Sequence, residues 1–242
     1  MEKIYASKVI DCAISQEGYE EPNHDNHTKY GEQMDTLYSG FFNGKKDYHD
    51  WCATFVCWLF CHCFGKYTAL KILNMPSGNL SAVCKYFYNY MKNGGMTGAE
   101  PKKGAVVFFQ NNLGISHVGI VIDYDGEYVT TIEGNAGTGS YFVKRNKYRK
   151  TVTYIYGYGY PKYDAEPQPK PEPSYKRDGI YTVRCNGELN LRTGAGTDQK
   201  ILMKLHKGDK VHCLKVIKED GKTWLRVDGY CCAVEDGDIY IE

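Results

Sequence analysis

The sequence predicts an α+β domain, with helices first and an antiparallel sheet second, followed by a small all-β barrel. Three features of the 242-residue chain support this prediction. An apolar segment with helical periodicity precedes the strand-like runs of the first domain. A proline-rich segment then separates these runs from a tail. The tail contains only short strand-like runs and polar turns.

The helical part of the first domain is most evident between residues 52 and 63. Its apolar residues recur at the spacing of one helix face, which predicts a helix with a single buried stripe: Cys52, Phe55, Val56, Leu59, Phe60 and Cys63. Asp50 is a candidate N-cap of this helix, because an aspartate side chain can accept hydrogen bonds from the first backbone N–H groups.

The strand-like runs come later in the chain. Four runs separated by turn residues predict the antiparallel sheet: Ala105–Gln110, His117–Asp123, Tyr128–Glu133 and Val152–Tyr158. Five shorter runs predict the strands of the tail: Ile180–Cys185, Glu188–Arg192, Ile201–Leu205, Lys210–Ile217 and Thr223–Val227. Several short strands joined by polar turns are typical of a small barrel.

A proline-rich segment divides the chain. Five of the eight prolines in the chain lie between Pro161 and Pro173, and alternating prolines hold an extended, semi-rigid conformation. The sequence therefore predicts a first domain at residues 1–162, a linker at residues 163–175 and a second domain at residues 176–242.

Composition and charge exclude several classes of protein. Apolar residues make up 42% of the chain and aromatic residues 14%, which argues against a disordered protein. The net charge is +1, so the chain lacks the strong positive field of a nucleic-acid binder, and we expect no nucleic-acid partner. The longest apolar run, Trp51–Phe64, is too short to span a bilayer, so we expect no stable membrane insertion.

The ten cysteines do not predict a disulfide framework. They lie largely within apolar runs, and no two of them have the CxxC spacing. The first residues of the sequence lack the hydrophobic core of a signal peptide. We therefore expect reduced thiols in a protein made in the cytoplasm.

Cys52 is the best candidate for a reactive group. It lies in the first turn of the predicted helix, where unpaired backbone N–H groups lower the pKa of a thiol and can stabilise an oxyanion. This position favours a nucleophile. The alternative is a cysteine that only packs in the core, which is our interpretation of three other cysteines in the same run: Cys57, Cys61 and Cys63.

A thiol nucleophile needs a base, and His117 is the best candidate. It begins a strand-like run that continues to Asp123. Alternation along a strand places His117 and Gly119 on one face, where the glycine would leave space for a substrate or for the helix of Cys52. The alternative is a surface histidine at the start of a strand.

Glu133 is the candidate that would orient His117. Residues 123–127 have the turn sequence of a hairpin with a three-residue loop and a left-handed glycine, Gly126. If Asp123 faces Glu127 across this hairpin, His117 faces Glu133, at a Cβ separation of about 4.5–5.5 Å. A carboxylate there could accept a hydrogen bond from the imidazole. The alternative is an exposed carboxylate at a strand end.

Two other groups of polar residues resemble metal sites only weakly. Cys57, Cys61 and the adjacent His62 have some ligand types of a zinc site, but no second ligand pair follows them. The segment His24–His27 is a polar loop with a single aspartate, which is few ligands for calcium. The sequence therefore predicts no cofactor, with calcium at this loop as the alternative.

Three sequence blocks together resemble the CHAP family, the cysteine, histidine-dependent amidohydrolases and peptidases. The blocks are Trp51–Trp58, Ser116–Val121 and Thr131–Asn135. Two flanking segments, Tyr30-Gly31 and Gly157–Pro161, are similar to residues that endolysin members of the family carry at these places. The resemblance covers residues 5–162.

The CHAP resemblance implies a papain-like α+β fold for the first domain. It also implies that Cys52 is the nucleophile and His117 the base. Glu133 and Asn135 would be supporting polar groups, with Glu133 as the carboxylate that orients the imidazole and Asn135 as a fourth member of the set.

The tail resembles bacterial SH3-like domains that bind cell walls. The resemblance rests on three blocks: Leu189–Thr197, Leu205–Val211 and Gly221–Val227. It implies a small SH3-like barrel with peptidoglycan as its partner.

Together the two resemblances predict a peptidoglycan hydrolase of the phage-endolysin type. They leave open whether it is an N-acetylmuramoyl-L-alanine amidase or a peptide endopeptidase. Because no signal peptide is evident, we expect synthesis in the cytoplasm of a bacterial host and release to the wall with the help of a holin-type partner. Two alternatives are a non-catalytic wall-binding protein with a degenerate hydrolase scaffold and a cytoplasmic amidase that acts on a small thiol conjugate.

Overall fold

The chain forms two compact units, Met1–Glu166 and Pro167–Glu242. The computed structural model describes residues 3–166, 174–219, 221–235 and 238–242. Much of the predicted linker, residues 167–173, lies outside these described residues.

Residues 163–166 belong to the first unit, beyond the predicted domain end at residue 162. The backbone N–H of Ile4 donates a hydrogen bond of 2.8 Å to the Asp164 carboxylate. The Tyr163 hydroxyl donates one of 2.9 Å to the Gly104 carbonyl. These contacts fasten the end of the unit to segments that precede its first helix and its second strand.

The first unit begins with helices. Its described residues form α1 Ala6–Ser15, α2 Lys29–Thr36, α3 Cys52–Phe64, α4 Lys66–Ile72 and α5 Cys84–Asn93. No helix in the described part of the chain is long and apolar enough to cross a membrane.

Helix α3 is buried on every side, so the prediction of a single buried stripe was wrong. Eleven of its 13 residues are buried. The apolar spacing identifies the helix, but it does not reveal how many elements cover it. Helices α1, α2 and α4 pack on α3, in addition to two strands of the sheet. A helix that is apolar on all faces is typical of the centre of a core.

An antiparallel sheet follows the helices. Its strands are β1 Thr97–Gly98, β2 Val106–Asn111, β3 Gly114–Tyr124, β4 Tyr128–Ala136, β5 Phe142–Arg149 and β6 Ile155–Gly159. They are arranged in the order β1-β6-β2-β3-β4-β5. Strand β5 was not predicted, because it lies at the sheet edge and only Val143 among its residues is fully buried.

Helix α3 packs directly on β3 and β4, the strands that carry the predicted site residues. The close approach depends on Gly134 in β4. A Cβ atom at this position would lie 2.7 Å from side-chain atoms of Phe55 and Trp51. Contacts this short are prohibitive, so glycine allows the start of α3 to lie against the sheet.

The described residues of the second unit form strands and no helix. They are β7 Ile180–Thr182, β8 Leu189–Arg192, β9 Ile201–Leu205, β10 Lys210–His212, β11 Lys215–Glu219, β12 Lys222–Arg226, β13 Tyr230–Glu235 and β14 Asp238–Ile239. Strand β7 pairs with β10, and the other six form a second sheet. Their common core includes Val183, Leu225 and Ile241.

The fold class is confirmed: helices are followed by an antiparallel sheet and then by an all-β region. Several details of the tail differ from the prediction. The run Lys210–Ile217 is divided into β10 and β11, the run Ile180–Cys185 forms a strand only over Ile180–Thr182, and β13 and β14 were not predicted.

Candidate active site

Cys52 is the first residue of α3, as the sequence predicted. Asp50 does not cap the helix, contrary to expectation. The N-cap residue is Trp51, which makes no side-chain cap hydrogen bond. The first backbone N–H groups of α3 therefore have no side-chain cap. They lie at the positive end of the helix dipole and can donate hydrogen bonds to a ligand.

A buried carboxylate that sequence analysis did not single out anchors the start of α3. Glu21 is 1% exposed and accepts a hydrogen bond of 2.8 Å from Nε1 of Trp51. The Trp51 ring also stacks on Tyr30, with 5.6 Å between ring centroids. These contacts fix the residue next to Cys52, and with it the direction in which the helix begins.

His117 and Glu133 lie in contact. Nε2 of His117 is 3.0 Å from Oε2 of Glu133, so the imidazole donates to the buried carboxylate. The predicted register was nevertheless wrong, because Ile120 pairs with Ile132. This pairing places Glu133 across from Gly119, and the carboxylate reaches His117 diagonally.

Gly119 serves a different purpose from the predicted one. A Cβ atom at Gly119 would lie 2.5 Å from Cγ of Glu133. The space beside the imidazole is thus filled by the Glu133 side chain and not by a substrate or by α3. Any larger residue at position 119 would displace the carboxylate that contacts His117.

Two further hydroxyl groups hold Glu133. Thr131 donates a hydrogen bond of 2.5 Å to Oε1, and the Tyr148 hydroxyl donates one of 3.0 Å to the same atom. Sequence analysis missed both residues. Tyr148 lies on β5, a strand that was not predicted. With three donors around it, the carboxylate remains charged although it is buried.

The charges of the three groups favour an ion pair. A hydrogen bond from Cys84 and the hydrogen bond and positive charge of His117 lower the pKa of Cys52 well below its usual value, although burial opposes this. Burial also opposes the charge on His117, but Cys52 and Glu133 outweigh it and raise the pKa of His117 to about 10. Both shifts favour a thiolate at Cys52 beside an imidazolium at His117.

The two imidazole nitrogens have separate partners. Nε2 of His117 is bonded to Glu133, and the ring also hydrogen bonds to Cys52. Nδ1 is the ring nitrogen left for the thiol. Burial by itself raises the pKa of Glu133, but the hydrogen bond to His117 and the imidazolium charge lower it by more. The carboxylate therefore stays ionised and fixes the orientation of the ring.

Asn135 lies two residues beyond Glu133 on β4. Its backbone has a φ of 54°, and the strand pairing with β5 is irregular between Glu133 and Ala136. The side chain is half-buried. Within the described part of the chain, it makes no hydrogen bond to His117, so the contacts that hold the imidazole come from Glu133 and Cys52.

Cys52 borders an open cleft of about 370 Å³. Helix starts and loops of the first unit line this cleft: Lys46, His49, Asp50, Cys52, Ala82, Val83, Cys84, Ile115 and Ser116. The cleft is thus lined by Cys52 and by Ser116, the residue that directly precedes His117. Sequence analysis did not single out Cys84, and its place beside the cleft was not predicted.

The predicted packing cysteines have the properties of core thiols. Cys57 and Cys61 are buried in α3. Burial raises the pKa of Cys57 well above its usual value and that of Cys61 to about 12. All ten cysteines are free thiols in the structure. Among the described residues, no group of three or more histidine, cysteine or carboxylate side chains is placed to hold a metal ion.

The polar loop at residues 24–27 is engaged with neighbouring protein groups. The His24 ring stacks on Tyr141 with 3.8 Å between centroids. Nδ1 of His27 is 2.9 Å from Oδ2 of Asp47. Asp25 accepts a hydrogen bond of 3.0 Å from the backbone N–H of His27. The polar side chains of this loop thus bind neighbouring groups of the protein.

The second unit has a separate cleft of about 260 Å³. Asn190, Arg192 and Thr197 from one of the SH3-like blocks line it, together with Trp224 from another. Residues that are far apart in the tail sequence thus share one surface of this unit.

The first unit is an α+β protein that carries a thiol, an imidazole and a carboxylate in one array beside a cleft. Residues 43–135 match the family model of the CHAP domain, and the matched segment contains Cys52, His117, Glu133 and Asn135. This match confirms the resemblance to the CHAP family seen in the three sequence blocks. No curated protein is significantly similar in sequence to the chain.

Two solved structures of the protein Ly7917 are similar to the chain over nearly their whole length. One, a crystal structure with the hydrolysing product of MDP, has 19% identity and a TM-score of 0.34, and covers 98% of this chain and 97% of its own. The other has 19% identity, a TM-score of 0.33 and the same coverage. A likeness at this level carries no inference about this chain.

Proposed function

We propose that the protein is an endolysin-type peptidoglycan hydrolase that cleaves an amide bond with Cys52 as its nucleophile. The observation that carries the proposal is the array of Cys52, His117 and Glu133 at the edge of an open cleft. Its thiol lies at an uncapped helix start, its imidazole contacts the thiol, and a buried carboxylate fixes the imidazole. This combination is typical of cysteine hydrolases.

The reaction would begin from the thiolate–imidazolium pair. The Cys52 sulfur attacks the amide carbonyl carbon, and the carbonyl oxygen takes up the negative charge. His117 then gives its proton to the nitrogen of the leaving amine as the C–N bond breaks, which leaves a thioester on Cys52. In the second half, His117 accepts a proton from water as the water oxygen attacks the thioester carbon. The C–S bond then breaks, the carboxylic acid departs, and the thiolate–imidazolium pair is restored.

The start of α3 is suited to stabilise the oxyanion. Its first N–H groups receive no side-chain cap, and Trp51 and Phe55 hold the helix against the sheet. Backbone donors fixed in this way need no reorganisation when negative charge develops on the substrate oxygen. Glu133 would stabilise His117 whenever the ring is charged and would keep Nδ1 directed at the sulfur.

We propose that the second unit binds the cell wall. Two of its SH3-like blocks contribute Asn190, Arg192, Thr197 and Trp224 to one cleft. The partly polar lining and the aromatic side chain suit a glycopeptide ligand. The catalytic array lies wholly in the first unit, so the second would add affinity for the wall and no chemistry.

The test of the proposed nucleophile is Cys52→Ala. The variant should lose wall hydrolysis by on the order of 10³-fold or more, because no other group replaces the thiol. Turbidity of a cell-wall suspension measures the rate. Cys61→Ala, which removes a buried thiol from the same helix, is the matched control. If Cys52→Ala cleared walls at the wild-type rate, the thiol would not be the nucleophile.

A second experiment identifies the bond. Mass spectrometry of digested peptidoglycan distinguishes the products, because an N-acetylmuramoyl-L-alanine amidase frees the N-terminus of L-alanine and an endopeptidase frees an amine within the peptides. Wall binding without any new amine would favour the alternative of a non-catalytic wall-binding protein over hydrolysis.

A further inference from the structure

A second buried thiol, that of Cys84, lies beside Cys52. The two sulfur atoms are 3.6 Å apart, within hydrogen-bond distance for sulfur. The residues are only 5% and 6% exposed, and both border the cleft. The Cys84 thiol therefore touches the atom that would attack the substrate.

Helix α5 holds Cys84 in this position. Cys84 is the first residue of α5, just as Cys52 is the first residue of α3. Helix α5 packs against β3, the strand that carries His117. Phe87 in α5 is fully buried, with its ring 5.3 Å from that of Phe108. Core packing thus fixes the position of the Cys84 sulfur. Part of this packing is against β3, the strand that also positions His117.

The proton of the sulfur pair belongs on Cys84. The hydrogen bond to Cys84 is the main reason why the pKa of Cys52 falls well below its usual value, and the bond to His117 adds to the effect. The hydrogen bond to Cys52, together with burial, raises the pKa of Cys84. Of the two thiols, Cys52 is the one beside the positive charge of His117, so the negative charge is favoured on Cys52 and Cys84 is the donor.

Cys84 differs from the packing cysteines of the core. Cys57 and Cys61 are also buried, and burial raises the pKa of each. Neither of them borders the cleft. Cys84 alone among these three thiols is both in contact with Cys52 and next to the space where a substrate would lie.

We propose that Cys84 is a further catalytic residue, whose thiol donates a hydrogen bond to the Cys52 thiolate and holds the negative charge there before attack. This inference rests on the proposed role of Cys52 as nucleophile. Cys84 transfers no proton. When the Cys52 sulfur bonds to the carbonyl carbon, the charge moves to the carbonyl oxygen, the hydrogen bond weakens, and Cys84 keeps its hydrogen.

The test is the pH dependence of Cys52 alkylation by iodoacetamide in the full chain, because the thiolate is the reactive form. Trypsin would release Cys52 in the peptide 47–66 and Cys84 in the peptide 72–85. Fragment ions in mass spectrometry distinguish Cys52 from the other cysteines of its peptide. The wild type should keep most of its alkylation rate at Cys52 between about pH 8 and about pH 6.

Cys84→Ala removes the donor, so its Cys52 alkylation profile should move to higher pH by about one to two units, as expected for the loss of one hydrogen bond to a charged group. Cys84→Ser supplies a hydroxyl donor in place of the thiol and should follow the wild-type profile. Cys61→Ala removes a buried thiol away from the cleft and is the matched control. A Cys84→Ala profile equal to those of the wild type and Cys61→Ala overturns the proposal.

The wild-type protein supplies a second measurement that does not depend on the folding of any variant. Cys84 should stay unalkylated over the pH range in which Cys52 reacts, because Cys84 retains the proton. Faster alkylation of Cys84 than of Cys52 would reverse their roles and overturn the proposal. Since alkylation needs no peptidoglycan, its outcome is separate from the wall-hydrolysis assay. If the wild type hydrolysed walls and the alkylation profile of Cys84→Ala equalled that of the wild type, only the proposed role of Cys84 would be wrong.

Discussion

Oε2 of Glu133 accepts a hydrogen bond of 3.0 Å from Nε2 of His117, although the two residues do not face each other across the hairpin. The carboxylate is buried and also receives hydrogen bonds from Thr131 and Tyr148. Its position is therefore fixed from several sides. Because Nε2 is occupied, the other ring nitrogen is left for Cys52.

Glu133→Gln should lower kcat more than it changes KM. Glutamine has nearly the same shape but no negative charge, so it stabilises the imidazolium less well and can present its amide N–H to the ring. We expect a loss of about 10- to 100-fold in kcat, the size expected for one hydrogen bond between charged groups. Initial rates on soluble peptidoglycan fragments measure both constants.

The second measurement on Glu133→Gln is its pH profile. The wild-type carboxylate favours the charged imidazole, so its removal should lower the pKa of His117 and move the alkaline limb of kcat/KM to lower pH. An unchanged rate and an unchanged limb would show that Glu133 does not orient His117. Asn135 would then be the next candidate.

Tyr148→Phe should weaken the array without destroying it. The substitution removes one of three donors to Glu133 and leaves the ring in place between Phe109 and Tyr154. We expect a loss of about 3- to 10-fold in kcat, since the lost hydrogen bond acts on the reaction only through Glu133, which keeps its other two donors. KM should change little, because the Tyr148 hydroxyl contacts the carboxylate.

Tyr156→Phe is the matched control for Tyr148→Phe. Tyr156 lies on β6 and packs against Tyr88, with 5.0 Å between ring centroids. It makes no contact with Glu133. Equal losses in the two variants would indicate a general effect of removing a tyrosine hydroxyl and would contradict a specific role for Tyr148.

The raised pKa of His117 predicts a high alkaline limit for hydrolysis. The imidazolium must donate a proton to the leaving amine. Despite burial, the partners Cys52 and Glu133 raise the pKa of His117 to about 10. A raised pKa keeps the proton on the ring at higher pH, so kcat/KM should stay high through neutral pH and fall as the pH passes about 10. The measurement is kcat/KM on soluble fragments as a function of pH.

Alkylation of Cys52 is the control for this pH profile. The thiolate persists when His117 loses its proton, so alkylation should continue above about pH 10 while hydrolysis declines. A hydrolysis limb near pH 6.5, the ordinary range of histidine, would mean that His117 is not paired with charged partners during turnover.

The sequence predicted the start of α3 because local signals determine it. Cys52 stands at the head of an apolar helical pattern, and the structure places it at the first residue of that helix. His117 was identified from a strand-like run and lies on β3. The apolar pattern could not predict that α3 is buried on all sides, because the elements that cover it are distant in the chain.

The contact between His117 and Glu133 was predicted through an incorrect register. The predicted turn placed Asp123 opposite Glu127, whereas in the structure Asp123 pairs with Thr130. A bulge near Val121 shifts the pairing again. Turn residues locate a hairpin, but they do not show where its ladder begins or where an extra residue is inserted.

Cys84 and Tyr148 could not be found from local signals. Cys84 lies 32 residues after Cys52, and the sulfur contact exists only because α5 packs on β3. Tyr148 lies on an edge strand, in which the charged residues obscure the alternation of apolar and polar residues that would predict a strand. The glycines at positions 137 and 139 form a turn signal before this strand, and that signal could have identified it.

The catalytic unit should be separable from the rest of the chain. Residues 1–166 should fold alone and cleave soluble wall fragments, because the array and its cleft lie wholly within them. On intact walls they should act more slowly than the full chain, since two linked contacts with one wall raise the effective concentration. The comparison uses both substrates, and equal rates on intact walls would leave the second unit without its proposed role.

The structure also predicts that a cut at residue 162 is worse than a cut at residue 166. The shorter piece loses Tyr163, whose hydroxyl donates to Gly104 and whose ring stacks 6.2 Å from that of Phe60. It also loses the Asp164 carboxylate that accepts from Ile4. Residues 1–162 should therefore be less stable by about 3 kcal/mol, the sum of a partly buried ring and two hydrogen bonds. Urea unfolding of the two pieces measures the difference, and equal midpoints with equal slopes would show that residues 163–166 do not stabilise the unit.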